Sequence, residues 1–519
     1  MIHFGSTPIL ISSLVDEVST IFAVTVRGIS LSVFLYRYGY IKDQKFFSRF
    51  HLLLFLFVLS IVLLIFSSNL FFSMLGWDGL GVTSYLLVVY YNNSKSNRAG
   101  ILTALVNRLG DFFLILVIIF VIFGPRDHIF LYKLIIENSD LWACLILGSF
   151  TKSAQIPFRA WLPAAIAAPT PVSSLVHSST LVTAGVYLII RHAEGLPNHL
   201  FPYIFFLGMA TMTMARLSAI NEKDMKKMVA LSTLRQLGLI VIRIGLGWAQ
   251  MAFIHLVIHA FFKALMFIAA GNIIHFNIGY QRLIKAGGGI FSTPLNTTIV
   301  IVSSMSLIGA PFAAAFFSKE PIIEIRMSNN YRLVISCLML LGVALTAGYS
   351  IRFVGMVLSL NSKNQPVYAV LEKDGPSSVP LVIIFLPAFM GGSVISSAAG
   401  SQPQSSLYPL SIKVLIVVTV LGSVALFTRV KRFVYFKLGE FALFSIWSLS
   451  GLRSALLTAW AHISSKSTLV SQGDVPNSSL SKNSLYFRTL LTPFLLNSFR
   501  VTNFIRSFMV FVIILLTYK

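Results

Sequence analysis

The sequence predicts an all-α polytopic membrane protein, and three observations carry that prediction. The first is composition: 56% of the 519 residues are hydrophobic, 11% are charged, and the mean hydropathy is +0.83, outside the range of soluble domains. The second is length. Apolar runs such as His51–Phe72 and Leu410–Phe427 match a hydrocarbon core of roughly 30 Å. The third is the placement of basic residues in short loops, as in Arg37–Arg49, Lys223–Lys227 and Arg429–Lys437, the pattern of inner-side loops. That placement accounts for the formal charge of +23 without nucleic acid, which is not an expected partner. Cys144 and Cys337 lie in separate apolar runs and provide neither a disulfide framework nor a metal-ligand spacing. The N-terminus has neither the basic head and apolar core of a signal peptide nor the look of a transit peptide. The chain is therefore expected to insert where it is made.

Taken in order, Val18–Tyr40 is a first span, headed by Asp16 and Glu17 and carrying Arg27 inside. His51–Phe72 follows, then Phe72–Tyr91, where GWDGLG sets Asp78 between glycines. Ile101–Phe123 carries Arg108 and Asp111, spaced to share one helical face. Leu141–Pro157 leads into the stretch Thr151–Gly185. There Lys152, Arg159 and His177 stand among apolar and small residues, and Pro157, Pro163, Pro169 and Pro171 break the helical run. Leu200–Ile220, Met228–Leu246 (with Arg235 and Arg243) and Met251–Phe276 are further spans, the first two separated by NEKDMKK. After the polar loop Asn277–Thr293 comes Leu295–Phe317, interrupted by Pro311 and ending in Ser318–Lys319–Glu320–Pro321. Val334–Leu358, Val379–Ile395 and Leu410–Phe427 complete the spans, with loops at Asn361–Ser378 and Ser396–Pro409. Beyond Arg429 the pattern changes: Tyr486–Arg506, with Arg488, Arg500 and Arg506, reads as a surface-lying amphipathic helix, and Phe508–Tyr518 as a short anchor. The length rule gives roughly 13 to 15 transmembrane helices.

Irregular backbone inside a membrane is tolerated only where protein packs on it or it lines a wet cavity, and ionisable groups there are functional candidates. His255, His259 and Lys263 recur at steps of four, which keeps them on one side of a helix. Two core histidines beside a lysine snorkelling to the interface is the bland alternative, but Lys263 has apolar residues on both sides. Burial disfavours the charged form of a lysine and a nearby carboxylate restores it, while histidines titrate near neutrality and relay protons through either nitrogen. Such a set suits proton hopping. The chain has 17 Asp and Glu, and Asp78, Asp111 and Glu320 are the ones within or beside apolar segments. Asp78 could instead cap a helix, Arg108 and Asp111 could be a structural ion pair, and Lys319 could end a span at the interface. Lys319 and Glu320, being neighbours, point about 100° apart on a helix, and Pro321 biases Glu320 away from helical backbone, which places a break there. The broken regions around Lys152–Pro171 and Pro311–Pro321 each carry a lysine and flank the histidine–lysine helix, as in transporters built from inverted repeats.

GWDGLGVTSYLL, NRLGDF, TKSAQIPFRAWLPAAIAAPTPVSSLVHSSTLVTAGVYLIIR, KDMKKMVALST, QLGL, HLVIHAFFKALMF and FFSKEPIIE follow one another in this chain. In that order they resemble the antiporter-like (Mrp-type) membrane subunits of respiratory complex I, most of all the subunit 5 branch of animal mitochondria. The resemblance is specific from about Leu14 to Leu358 and looser in the last third. It implies two inverted repeats with broken helices and a proton path in the membrane plane, through Asp78, Lys152, His177, His255, His259, Lys263, Lys319 and Glu320. Arg108 and Asp111 would form an ion pair near the neighbouring subunit or the proton entrance. It divides the chain into N-terminal spans 1–72, repeats 73–220 and 221–360, further spans and loops 361–432, a lateral amphipathic helix region 433–505 and an anchor helix 506–519. The family carries about two more spans before the segment resembling Leu14–Tyr40, so the N-terminus reads as shortened. Arg235 stands where relatives carry a small polar residue, and Pro321 after Lys319–Glu320 is unusual.

The resemblance also implies that this chain holds no cofactor. NAD, FMN, iron–sulfur clusters and ubiquinone would belong to other subunits, in agreement with the lack of a dinucleotide glycine fingerprint or cysteine cluster. Expected partners are the adjacent antiporter-like subunit 4, other membrane subunits along the lateral helix, and lipids including cardiolipin. The expected location is the mitochondrial inner membrane. Two other readings compete: a subunit of a multisubunit Na+(K+)/H+ antiporter of the same fold, and a structural clamp acting through the C-terminal amphipathic stretch.

Overall fold

The computed structural model describes residues 2–4, 7–9, 12–41, 47–123, 139–277, 279–283, 287, 289–311, 313–321, 333–358, 378–398 and 410–429. Among these residues the fold is helical, and nine helices are long and apolar enough to cross a membrane. The lateral helix region 433–505, the anchor 506–519 and most of the two expected loops at 361–378 and 396–409 lie outside the described residues. One element departs from the all-α expectation. Ile2–Phe4 pairs antiparallel with Thr7–Ile9 in a register that sets Phe4 opposite Thr7. Only Gly5 and Ser6 separate the two strands in sequence, and a two-residue, glycine-bearing link is a hairpin signal.

Two spans form the centre. Of their most apolar windows, 94% is buried in Thr170–Arg191 and 89% in Ala249–Phe276, against 28–50% in the other candidate spans. A helix apolar on all sides is an interior helix, and Ala249–Phe276 packs against Met225–Ile244, Pro294–Ile308, Val379–Ala398, Glu17–Ile41 and the segment Ser173–Thr180. The peripheral helices keep large apolar side chains outward, such as Leu52, Phe55, Phe120 and Leu386, as lipid contact requires. Phe201–Asn221 and Met225–Ile244 approach closely where Gly208 faces Gly238: a β-carbon on Gly238 would lie 3.0 Å from the Gly208 carbonyl. Small residues at such crossings let membrane helices meet backbone to backbone.

Both expected breaks are present, with changed boundaries. The helix Ser139–Lys152 ends at the lysine, residues 153–160 are irregular, and helix resumes at Trp161–Ala165 and Thr170–Val172. Ser173–Thr180 is then wound as a π-helix before Leu181–Arg191. Its five hydroxyl residues, Ser173, Ser174, Ser178, Ser179 and Thr180, each donate to a carbonyl up to five residues back, which supports the widened turns. At the second break, Pro294–Ile308 stops at Gly309, whose φ of 83° is left-handed, and residues 316–321 are helical again. The expectation of a break at Glu320 is corrected. The chain bends earlier, at a glycine cap, and the pre-proline bias is overridden, so Lys319 and Glu320 sit on helix.

Candidate functional site

His255, His259 and Lys263 are all fully buried on the central helix. Snorkelling is thereby ruled out for Lys263, whose Nζ donates to Ser232 Oγ and lies 3.9 Å from the Met266 sulfur. His255 is a bridge: Nδ1 lies 2.8 Å from Ser318 Oγ, and Nε2 lies 3.2 Å from Gln236 Oε1. The His259 ring stands between them, 6.5 Å from that of His255 and edge-on to Phe262 at 5.5 Å. Neither His259 nitrogen has a hydrogen-bond partner, so the one that carries no hydrogen is open to a transient donor and the N–H to a transient acceptor.

Ser318 places the second break directly against this row. Lys319, one residue on, is buried and donates through Nζ to the carbonyl of Ile308, the last residue of the helix before the break. Arg235, also buried, donates through Nη2 to the preceding carbonyl, that of Leu307, at 3.3 Å. The C-terminal end of a helix carries unsatisfied carbonyls and a partial negative charge, and here it receives two cations. Glu320 is half-buried beside Lys319 and shares with it a cleft that Ile308, Gly309, Val343 and Ile416 also line.

The first break is built differently. Lys152 is fully buried, its Nζ donates to the Trp77 carbonyl at 2.5 Å, and it lies 3.8 Å from the centre of the Trp77 ring. Trp77 Nε1 donates to Asp111 Oδ1 at 3.0 Å, and Arg108 pairs with Asp111 Oδ2 at 3.1 Å. Asp111 and Asp78 are the two carboxylates that act on the Lys152 ammonium. Asp78, next to Trp77 on the same helix, has an Oδ1 without a hydrogen-bond partner. The irregular backbone is sealed by side chains: Trp161 Nε1 donates to Thr151 O at 2.8 Å, and Thr211 Oγ1 to Gln155 Oε1 at 2.7 Å.

His177 occupies the π-helical segment, buried, with its ring 6.1 Å from that of Trp161. Among the described residues no hydrogen bond joins it to Lys152 or to the central row, although its segment packs on the central helix. Arg159 is 7% exposed, because Gln155 and Trp161 tie the irregular segment inward to the helices. Sequence reasoning missed Trp77, Gln155, Ser232, Gln236 and Ser318 as bridging groups. Their signal was present as lone hydroxyl, amide and indole groups in apolar helices, which must find partners when buried. No group of metal-ligating residues stands together among the described residues.

Comparison with known proteins completes the picture. The family described as NADH:quinone oxidoreductase/Mrp antiporter, TM, matches residues 67–346, and that described as NADH-Ubiquinone oxidoreductase (complex I), chain 5 N-terminus, matches residues 1–51. NADH-ubiquinone oxidoreductase chain 5 of Lumbricus terrestris is 40% identical over 81% of this chain and 74% of its own length. The Locusta migratoria protein of the same name is 39% identical over 87% and 79%. In structure, the chain resembles the Mrp complex from Dietzia sp. DQ12-45-1b (TM-score 0.65, 22% identity, 93% of this chain and 55% of that one). It also resembles the archaeal membrane-bound sulfane sulfur reductase (TM-score 0.66, 20% identity, 80% and 86%). These two likenesses show a shared fold. The sequence matches show more: the chain belongs to the NADH-ubiquinone oxidoreductase chain 5 family, the proton-translocating, antiporter-like membrane subunits of complex I.

Proposed function

We propose that this subunit moves protons along a buried row in the membrane plane, from Asp78 and Lys152 through His177 to Lys263, His259 and His255, and on to Lys319 and Glu320. Arg108 and Asp111 act at the entrance. The observation that carries this reading is the His255 bridge, which joins the Lys263 helix to Ser318 beside Lys319. Imidazole can accept a proton on one nitrogen and release it from the other, and His259 stands within 6.5 Å of His255 with both nitrogens available. Lys319 holds the carbonyl of Ile308, where the helix before the second break ends, so its protonation is coupled to that helix ending. Lys152, itself the last residue of its helix, holds the Trp77 carbonyl inside a neighbouring helix. Two inverted repeats, roughly 13 to 15 spans, and the lateral and anchor helices complete the proposed architecture. Quinone reduction in other subunits, which would hold NAD, FMN, the iron–sulfur clusters and ubiquinone, drives the relay. The setting is the mitochondrial inner membrane, beside the antiporter-like subunit 4 and cardiolipin.

The test is Lys263→Ala in the purified complex, reconstituted into vesicles with NADH oxidation and proton uptake measured together. Assembly should persist and the ratio of protons moved to NADH oxidised should fall. An assembled variant with the wild-type ratio would overturn the relay.

A further inference from the structure

We infer that Arg216, Arg235 and Tyr349 form a binding site for one small monovalent anion of halide size inside the membrane domain. The three residues come from three helices, Phe201–Asn221, Met225–Ile244 and Leu333–Leu358, and are 1%, 0% and 2% exposed. Each arginine is anchored by a single nitrogen: Arg216 Nη2 on the Met212 sulfur at 2.9 Å, Arg235 Nη2 on Leu307 O at 3.3 Å. Nε and Nη1 of both, and the Tyr349 hydroxyl, have no hydrogen-bond partner. The groups are electrostatic neighbours, each arginine acting on Tyr349 and Arg235 on Arg216. Gly342 makes the approach possible. A β-carbon there would occupy the space of Arg216 Nη1, and Gly342 lies seven residues, two turns, before Tyr349 on the same face.

The charge balance selects the ligand. A guanidinium does not lose its proton in a protein, and buried charges are held by partners of opposite sign. Lys263 and Lys319, also buried, feel Arg235 as a further cation. Among the described residues the carboxylate acting on this group is that of Glu320, which acts on Lys319 from a half-buried position. The unpartnered nitrogens are donors only and the phenol can donate, so the occupant must be an acceptor with negative charge. A halide accepts from any direction, which suits unpartnered donors supplied by three different helices. Such an ion offsets the charge of Arg216 and Arg235 and lowers the positive potential at Lys319.

The test uses the assembled complex, wild type and Arg235→Gln, equilibrated with radiolabelled chloride in a gluconate background and then rapidly desalted. Wild type should retain one chloride more per complex than the variant, and bromide but not gluconate should displace it. Equal retention would overturn the site, whether water or a carboxylate of another subunit satisfies the donors. If Arg235→Gln does not assemble, crystals of the wild-type complex soaked in bromide decide the matter. An anomalous peak among the two guanidinia and the Tyr349 hydroxyl supports the site, and none there refutes it.

Discussion

The two breaks look alike in sequence, each a lysine near prolines inside an apolar run, yet they solve opposite electrostatic problems. At the first, Lys152 rests on the Trp77 ring and carbonyl, with Asp111 one indole away and itself paired with Arg108. At the second, Lys319 shares the end of one helix with Arg235, and Glu320 lies half-buried alongside. The first is a compensated site whose backbone is tied down by side chains. The second holds surplus positive charge against a helix terminus and is wired to the central histidines.

The largest expected effects come from removing each lysine. Lys152→Met removes a charged hydrogen bond to the Trp77 carbonyl and a cation that acts on the buried Asp111, and should cost about 2–3 kcal/mol, the upper range for a hydrogen bond to a charged group. Lys319→Met takes one cation out of a crowded group and should leave stability within about 1 kcal/mol, the worth of its one hydrogen bond. Both should abolish most proton uptake. Thermal dissociation of the assembled complex separates them, and equal destabilisation by the two variants would erase the distinction between compensated and uncompensated breaks.

A smaller contrast concerns what each break's side chains are for. His255→Phe removes the link between Gln236 and Ser318 and should slow proton uptake about 100-fold, the low end of what a positioned proton-transfer group contributes, while the orphaned Gln236 amide oxygen costs about 1–2 kcal/mol of stability. Trp161→Phe orphans the buried Thr151 carbonyl and should cost about 2 kcal/mol of stability, with uptake per surviving complex unchanged. The reverse pattern would mean that the first break conducts and the second merely packs.

The sequence made some of this readable and hid the rest for a physical reason. The row His255, His259, Lys263 follows from helix geometry alone, because steps of four share a face whatever surrounds them. The breaks were visible through proline, although the second one falls at Gly309 and not before Pro321. What holds each lysine was not visible. Ser232 lies 31 residues from Lys263, Trp77 lies 75 from Lys152, and Ser318 lies 63 from His255. Such pairings depend on the rotation of packed helices. The Arg108–Asp111 pair was readable from its spacing of three residues, but the link from Asp111 through the Trp77 indole toward Lys152 was not, because it joins three separate helices.

The smallest predicted effects use the backbone. Each break contains one left-handed residue, Gly309 at φ 83° and Ala154 at φ 53°, and exchanging their identities probes how each bend is held. Gly309→Ala introduces a side chain into a conformation that costs about 1–2 kcal/mol outside glycine, and its β-carbon would lie 3.2 Å from Lys319 Cδ. The variant should therefore lose stability and also displace the lysine, so proton uptake falls with it. Ala154→Gly removes that same conformational penalty, but it deletes a buried methyl worth about 0.8 kcal/mol and frees the unfolded chain by about 0.4–1 kcal/mol. The terms nearly cancel, and stability should stay within about 1 kcal/mol of wild type with uptake intact, since Gln155 and Trp161 still hold the segment. Matching losses in the two variants would mean that the first break depends on its backbone conformation as heavily as the second, and that its side-chain seal contributes little.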